Sequence, residues 1–257
     1  MVADLARAGV FGLRHPVEAV DRARGRLALR RRDAHHHHYE AADEWECRFH
    51  RLIGHAWPCQ EQATFSAVWE RLCSELPPIG EGHDADPALA RAAWCLIRHL
   101  RPEHVVETGV ARGFMTRVML EALERNDSGH LWSIDLPPVV GVWRHHVASA
   151  MHGYRHNRWT FVRGASRRKL RPLIDALPHV DLFVHDSLHT EENVWFELTT
   201  AWAALAPGGA LLADDIQESA AFERFARAAG SGRTVVVAAE SKPAAFGIAI
   251  KDDVSAP

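Results

Sequence analysis

Three aspartates end two short apolar segments of the sequence, and their positions indicate a shared site. Asp186 closes the candidate strand 180–186, and Asp214 and Asp215 close the candidate strand 210–215. A single helical pattern joins the two segments, so as parallel strands they are expected to be neighbours. Their carboxylates would then meet at one edge of the sheet, which is where ligands bind in such folds.

Clustered carboxylates repel one another unless a proton or a cation lies between them. Ligation by oxygen alone suits Mg²⁺, Mn²⁺ or Ca²⁺ rather than zinc. A bound cation would orient a substrate hydroxyl and lower its pKa, which makes its oxygen a better nucleophile. Asp186, Asp214 and Asp215 are therefore candidate metal ligands. In the alternative, which the sequence leaves open, the acid pair caps loops and Asp186 binds a backbone amide.

Two histidines flank this position. His189 lies on the loop after Asp186, and an unperturbed pKa of about 6.5 suits a general base. A single loop histidine is more often a polar surface residue, and the chain contains 18 histidines, which weakens the significance of any one. His185, within the apolar strand, is instead expected to be a core histidine with satisfied hydrogen bonds.

A glycine-bearing turn follows the first candidate strand. It reads Glu107-Thr108-Gly109-Val110-Ala111-Arg112-Gly113, an ExGxxxG pattern, and a helix begins near Phe114. Gly109 permits a tight turn, and Gly113 permits close approach of a ligand and of the helix. The pattern is not the GxGxxG of dinucleotide enzymes and lacks the GK[ST] of a phosphate-binding loop. Such a turn suits a cofactor without phosphates, such as S-adenosylmethionine (SAM), whose amino-acid end is held by backbone groups and polar side chains. In the alternative, which the turn alone leaves open, its glycines are ordinary structural residues between a strand and a helix.

Two further polar residues end the next strands. Asp135 closes the second candidate strand, where a carboxylate can accept both ribose hydroxyls. A turn before Pro137 is the alternative, but the glycine turn beside it favours the ribose role. Ser166 follows the third strand, where it could border an adenine ring, cap the helix that begins at Arg167, or do both.

These residues require a frame of strands and helices to position them. From residue 104 onward, short apolar runs alternate with helical patterns, as in a parallel sheet that is covered on both faces. The clearest helix is Thr190–Leu205, with Thr190 as its N-cap and Pro207-Gly208-Gly209 as its stop. The candidate strands are His104–Thr108, His130–Asp135, Trp159–Arg163, Val180–Asp186, Ala210–Asp215, Thr234–Ala238 and Phe246–Ile250.

The chain divides into three segments. Residues 1–40 are rich in arginine and contain His35–His38, and we favour a solvated, partly disordered basic arm over a dimer contact or an anion-binding arm. Residues 41–100 predict a helical extension in which Pro87 opens the last helix. Its tryptophans could cover the site as a lid, although core positions are favoured. Residues 101–257 hold the alternating strands and helices.

Composition restricts the class of protein. The 257 residues are 47% hydrophobic with a net charge of −3, which is ordinary for a globular domain and makes no demand for a nucleic acid. The four cysteines contain no CxxC pair and match no zinc motif, which favours a reducing compartment. No apolar run is long enough for a bilayer, so a cytoplasmic location without a membrane partner is expected. A homodimer formed through the N-terminal helices is compatible with the sequence.

Taken in order, the motifs resemble those of class I SAM-dependent methyltransferases. The resemblance runs from Ile79 to Ile250 and rests on ETGVARG, SIDLPP, RWTFVRG, HDSLHT and APGGALLADDI. It is closer to the bacterial small-molecule branch that includes macrolide-sugar and aminocoumarin-sugar O-methyltransferases. It implies an α/β fold with a Rossmann-like, seven-stranded, mostly parallel sheet, an antiparallel last strand and helices on both faces, preceded by an N-terminal helical extension.

The resemblance also carries roles onto individual residues. It implies cofactor contacts at Glu107, Gly109, Gly113, Asp135 and Ser166. It implies a divalent metal, Mg²⁺ or a similar ion, on Asp186, Asp214 and Asp215, beside a base that deprotonates the substrate. This sequence has Asp-Ser-Leu-His where relatives often carry a second acid or a glycine, which leaves the catalytic base open between Asp186 and His189.

The resulting hypothesis is transfer of a methyl group from SAM to a hydroxyl of a small molecule, such as a sugar or a natural product, with help from a divalent metal. One alternative is a metal-free N-methyltransferase. Another is a SAM-binding protein without catalysis that uses the basic arm to bind a partner. An Asn-Pro-Pro-Tyr motif does not follow the fourth strand, which argues against methylation of nucleobase or glutamine amines.

Overall fold

The computed structural model describes residues 11, 13–30, 37–76, 85–140, 146–154, 157–230 and 233–252. Over these residues the chain forms eight α-helices and seven strands. The helices are α1 (Pro16–Arg30), α2 (Trp45–Leu52), α3 (Glu61–Glu75), α4 (Pro87–Leu100), α5 (Phe114–Asn126), α6 (Ser166–Asp175), α7 (Glu191–Ala204) and α8 (Ala221–Ala228). The strands are β1 (His104–Thr108), β2 (His130–Asp135), β3 (Trp159–Arg163), β4 (Val180–His185), β5 (Leu205–Ala213), β6 (Thr234–Ala238) and β7 (Ala245–Ile250).

The strands form one sheet in the order β3-β2-β1-β4-β5-β7-β6. Strands β1 to β5 run parallel, and β7 lies antiparallel between β5 and β6. From β1 the chain adds β2 and β3 on one side of the sheet and then β4 and β5 on the other side. The strand order therefore reverses between β1 and β4, and in such sheets ligands bind at this point, outside the carboxyl ends of the strands. The predicted Rossmann-like sheet with an antiparallel last strand is confirmed.

The boundary between the fifth strand and the helix before it differs from the sequence prediction. Strand β5 begins at Leu205, not at Ala210, and therefore includes the Pro207-Gly208-Gly209 segment that was expected only to stop a helix. Leu205 pairs with Val180 across a bulge in the β4–β5 ladder, and this early pairing extends the strand. Thr190 precedes α7 as predicted, but its side chain makes no capping hydrogen bond.

Both faces of the sheet are buried, because successive apolar residues of the strands point to opposite sides. In β4, Leu182 packs with the helices α2 to α5 and Phe183 packs with the helices α6 to α8. In β5, Leu212 belongs to the first of these two cores and Leu211 to the second. This two-sided burial explains why the strands read as continuous apolar runs.

Helix α1 pairs with the α/β domain through acidic side chains. Glu18 accepts two hydrogen bonds of 3.1 Å from Arg163 at the end of β3, and Asp21 accepts bonds of 3.0 and 2.7 Å from Arg168 in α6. This part of the arm is therefore helical, which differs from the partly disordered arm favoured by the sequence. The predictions for residues 1–10 and 31–36, including His35 and His36, lie outside the described residues.

Two tryptophans of the helical extension, Trp45 and Trp69, are half-buried and pack against the core. Trp45 packs edge-on against Phe246 of β7 at 5.9 Å between ring centroids, and Trp69 packs against Phe114 of α5 at 5.2 Å. The sequence also allows the loop Gly80–Asp86 to take part in a lid, and residues 80–84 of that loop lie outside the described part of the chain. Among the described helices, none combines the length and the apolar character that a membrane span needs.

Asp86 joins the helical extension to the last hairpin of the sheet. Its Oδ1 accepts hydrogen bonds from the Ala88 and Leu89 amides at 2.9 and 3.3 Å, and Pro87 is the first residue of α4, as predicted. Its Oδ2 accepts bonds from the amide and hydroxyl of Ser241 at 2.7 and 2.8 Å. One buried carboxylate therefore caps α4 and holds the β6–β7 loop against it.

Candidate active site

The glycine turn after β1 lies directly against the start of the loop after β4. Gly109 has φ +89°, and a Cβ added there would lie 1.8 Å from the carbonyl oxygen of Asp186. The Asp186 amide in turn donates to the Thr108 carbonyl at 2.8 Å. Only glycine fits such a contact. Gly113 has φ +87° and directly precedes α5, next to Ala148, so the two predicted glycines frame this turn.

Asp135 lies beside the same turn. Its Oδ2 accepts hydrogen bonds from the Val110 and Ala111 amides at 3.3 and 3.1 Å. Burial raises the pKa of the Asp135 carboxyl, while these amides and that of Leu136 act in the opposite direction. The residue predicted to bind ribose therefore stands at the end of β2, against the turn predicted to hold the amino-acid end of the cofactor.

Glu107, also in this motif, is buried. Its carboxylate is buried beneath the turn, where it accepts hydrogen bonds from the Thr116 hydroxyl at 2.9 and 3.1 Å and from the Ser133 hydroxyl at 2.6 Å. Burial raises the pKa of Glu107 to about 8. Ser166 is the first residue of α6, and its hydroxyl hydrogen-bonds to Glu197. The cofactor contacts predicted for Glu107 and Ser166 stay predictions.

The predicted acidic cluster forms at the carboxyl ends of β4 and β5. His189 Nε2 lies 3.7 Å from Asp186 Oδ1 and 3.7 Å from Asp215 Oδ2, which is too long for hydrogen bonds but places all three side chains around one point. Burial, followed by the charge of Asp214, raises the pKa of Asp186 well above its usual range. Burial, followed by His185, lowers the pKa of His189 to about 3, so its imidazole is neutral.

A lysine that the sequence analysis did not select supplies positive charge to this cluster. Lys242, in the β6–β7 loop, donates from Nζ to Asp214 Oδ2 at 2.8 Å and to Asp215 Oδ1 at 2.7 Å. The two carboxylates raise the pKa of Lys242 against the effect of burial. Among thirty Lys and Arg residues only three are lysines, a scarcity that could have singled out Lys242.

A carboxylate that was not predicted from the sequence, Glu197 of α7, lies fully buried next to the cluster. It accepts hydrogen bonds from Thr108 Oγ1 at 2.5 Å, Ser187 Oγ at 2.7 Å and Asn193 Nδ2 at 2.8 Å, and it pairs with His185 Nδ1 at 2.6 Å. Burial alone would raise the pKa of Glu197, but His185 and the hydroxyl donors lower it to about 2. The sequence feature that could have revealed Glu197 is its position on the apolar stripe of α7.

His185 is the core histidine that the sequence favoured, although only one of its ring nitrogens has a partner among the described residues. Nδ1 pairs with Glu197, whereas Nε2 is buried without a hydrogen bond. Its ring centroid lies 5.3 Å from that of His189. The carboxyl edge of the sheet thus holds the Glu197–His185 pair and, next to it, His189, which lies between Asp186 and Asp215.

Comparison with known proteins assigns this segment to a domain type. Residues 106–216 match a family model described as a methyltransferase domain. They span the strand ends β1 to β5 that carry the glycine turn, Asp135 and the three clustered acids. No curated protein matches this chain significantly.

Solved structures with the same fold include several methyltransferases. The O-methyltransferase of Bacillus cereus, in complex with S-adenosylhomocysteine (SAH), is 14% identical with a TM-score of 0.55, over 79% of this chain and 96% of that one. TomG, an O-methyltransferase of Streptomyces achromogenes in complex with SAM, is 14% identical with a TM-score of 0.54, over 76% and 100%. The SAH-bound methyltransferase PaMTH1 of Podospora anserina is 14% identical with a TM-score of 0.51, over 84% and 99%. The chain thus has the class I methyltransferase fold, and its residues 106–216 match a methyltransferase domain, in line with the predicted enzyme class.

Proposed function

We propose that this protein transfers the methyl group of SAM to a hydroxyl group of a small molecule. The observation that carries the proposal is the position of Asp186, His189 and Asp215 beside the Gly109 turn, inside the segment that matches a methyltransferase domain. A structural relative from Streptomyces acts in the synthesis of the natural product tomaymycin, which supports a natural-product substrate. Sugar specificity is an expectation from the sequence motifs.

The proposed reaction is a direct displacement at the sulfonium methyl carbon. The bond from carbon to sulfur breaks as the bond from the substrate oxygen to carbon forms, SAH leaves, and the hydroxyl proton passes to a side chain. The protein contributes orientation and a proton acceptor. Because burial and Asp214 raise the pKa of Asp186 while His189 is kept neutral, Asp186 is the stronger proton acceptor of the two. His189 then serves as a neutral hydrogen-bonding group.

The metal hypothesis requires a divalent cation next to Asp214 and Asp215, whereas in this structure the neighbouring positive charge is the Lys242 ammonium. Asp214 Oδ2 and Asp215 Oδ1, which would ligate a divalent ion, already accept hydrogen bonds from the Lys242 ammonium. Asp214 Oδ1 is buried without a partner among the described residues, but an ion there would also face the lysine charge. The residues therefore fit an internal ammonium better than Mg²⁺, and we propose a reaction that needs no divalent metal.

Replacement of Lys242 by methionine tests this assignment. We expect kcat to fall by about 100-fold or more, because Asp214 and Asp215 lose their counter-charge, and we expect EDTA to leave wild-type activity unchanged. The matched control is Lys251→Met, since Lys251 bonds to the Trp202 and Leu205 carbonyls at the other end of β5. Loss of wild-type activity in EDTA that Mg²⁺ restores would instead support the metal-assisted reaction predicted from the sequence.

Calorimetric titration with SAH tests the cofactor assignment. We expect a Kd on the order of micromolar, unchanged by EDTA, and at least about tenfold weaker binding by Asp135→Asn, because the ribose acceptor is lost. Asp127→Asn is the matched control, because Asp127 precedes β2 and Asp135 ends it, and its side chain is 95% exposed. If the wild type does not bind SAH, the methyltransferase proposal fails.

The two other functions considered for this chain give different results. A SAM-binding protein without catalysis would bind SAH but show no turnover with any hydroxyl or amine acceptor, and removal of residues 1–40 would abolish binding of its partner. An N-methyltransferase would methylate amine acceptors and leave hydroxyl acceptors unmodified. The proposed O-methyltransferase acts without a nucleic-acid or membrane partner, and a homodimer through the N-terminal helices is part of the same proposal.

A further inference from the structure

We propose that this protein binds one structural Zn²⁺ ion through His50, Cys59, Cys95 and His99, which we call the Cys2His2 cluster. One ligand atom from each residue lies within 4.8 Å of the other three. Two thiolates and two imidazoles are the donor set of a closed tetrahedral zinc site. The cluster lies among the helices of the N-terminal extension and shares no residue with the candidate active site.

The positions of the four residues suit a tetrahedral ion. His50 lies in α2 and Cys59 in the α2–α3 connection, while Cys95 and His99 are one turn apart in α4 and therefore share a face of that helix. Zinc bonds of about 2.3 Å to sulfur and about 2.0 Å to nitrogen place neighbouring ligand atoms roughly 3.3–3.8 Å apart. His50 Nε2 already lies 3.1 Å from Cys59 Sγ, so small side-chain movements would complete the site.

The hydrogen bonds of the two histidines support metal binding. His50 Nδ1 lies 2.7 Å from the Glu46 carbonyl, which fixes the proton on Nδ1 and leaves the Nε2 lone pair for an ion. His99 Nε2 is buried, and it has no hydrogen-bond partner among the described residues. An unpaired polar atom in a buried cluster is costly, and a coordinated ion would remove that cost.

Four protein ligands make the cluster a structural site and not a catalytic one. His50 is 1% exposed and Cys95 is 2% exposed, whereas Cys59 and His99 are half-buried. The rings of Trp57 and His55 pack against the cluster, with centroids 4.8 Å from His50 and 4.1 Å from His99. Water and substrate therefore have no open coordination position. The ion would crosslink α2, the following loop and α4, which no disulfide joins.

The sequence shows no zinc motif because the four ligands are unevenly spaced. Eight residues separate His50 from Cys59, thirty-five separate Cys59 from Cys95, and three separate Cys95 from His99. Only the packing of α2 against α4 brings the two pairs together. Cys47 and Cys73 stand outside the cluster, so cysteine spacing alone does not distinguish the ligands.

The test measures metal content of the full-length protein, purified without a histidine tag under reducing conditions. We expect one zinc per chain by mass spectrometry, lost in Cys95→Ser and His99→Gln. The controls are Cys47→Ser and a variant with His35–His38 replaced by glutamine, and both should keep their zinc. Removal of zinc by a strong chelator should lower Tm by roughly 5 °C or more, and re-addition should restore it.

A spectroscopic readout on the wild type covers the case in which the cluster variants do not fold. Replacement of zinc by Co²⁺ should give the intense visible bands of tetrahedral, thiolate-ligated cobalt. Three results would each overturn the proposal: no zinc and no cobalt–thiolate bands, zinc that disappears only with the His35–His38 run, or a Cys59–Cys95 disulfide in protein that takes up no metal. None of these measurements depends on methyltransferase activity.

Discussion

Substitution of Gly109 by alanine should both lower the free energy of unfolding and abolish SAH binding. The added Cβ would lie 1.8 Å from the Asp186 carbonyl oxygen and 2.5 Å from its carbonyl carbon. The oxygen cannot withdraw freely, because the Asp186 amide is bonded to Thr108 in the neighbouring strand. We expect the free energy of unfolding to fall by roughly 3 kcal/mol, of which about 1 kcal/mol reflects the left-handed backbone. Urea unfolding and calorimetry measure the two effects.

Gly230→Ala is the matched control for this prediction. Gly230 also has a positive φ, +63°, but a Cβ there meets nothing within 4 Å. It should lose only about 1 kcal/mol and keep SAH binding. A Gly109→Ala protein that is as stable as this control and binds SAH would show that the turn after β1 can move away from the loop after β4.

Replacement of Glu197 by glutamine should give the second large effect. The glutamine amide presents an NH₂ group to donors that now bond to a carboxylate, so the Thr108, Ser187 and His185 contacts cannot all be kept. Because the pKa of Glu197 is lowered from 4.5 to about 2, its ionised form stabilises the fold by roughly 3 kcal/mol at neutral pH. Urea unfolding of the two proteins at pH 7 should show a difference of that size.

The pH dependence identifies the origin of this difference. A carboxyl whose pKa is depressed in the folded state stabilises fully above its unfolded pKa, and the contribution decreases as the pH falls towards its folded pKa. The gap between wild type and Glu197→Gln should therefore be constant above pH 4.5 and narrow from pH 4.5 towards pH 2. The control is Glu192→Gln, on the same helix, where the side chain is 84% exposed. Its free energy of unfolding should equal that of the wild type at every pH. A gap independent of pH would mean that the glutamine acts through packing alone.

Much of the frame of the site follows from local patterns in the sequence. Buried parallel strands are continuous apolar runs, so the bounds of β1, β2, β3 and β6 could be predicted to the residue. Polar residues directly after such runs must lie at the carboxyl edge, which located Asp135, Asp186 and the Asp214-Asp215 pair. Chain order and a single crossover helix also predicted that β4 and β5 are neighbours.

The remaining residues depend on packing between distant segments. Lys242 reaches the acids only because β7 inserts between β5 and β6, which brings the β6–β7 loop to the end of β5. Residues alternate along β1, so the side chain of Glu107 bonds to Thr116 of α5, whereas that of Thr108 bonds to Glu197 of α7. Which face a strand residue occupies depends on the helices that cover it, and a local motif does not contain that information.

The Asp86–Ser241 contact limits which segments of this chain can be exchanged with those of a relative. Residues 106–216 match the methyltransferase family model and contain the three clustered acids. Their counter-charge, Lys242, follows that segment, and the carboxylate that holds the neighbouring Ser241 precedes it. A fragment trimmed to the matched residues would keep the acids and lose their cation. Recombination between relatives would therefore preserve a working site only if the capped helix, the central segment and the last hairpin were exchanged together.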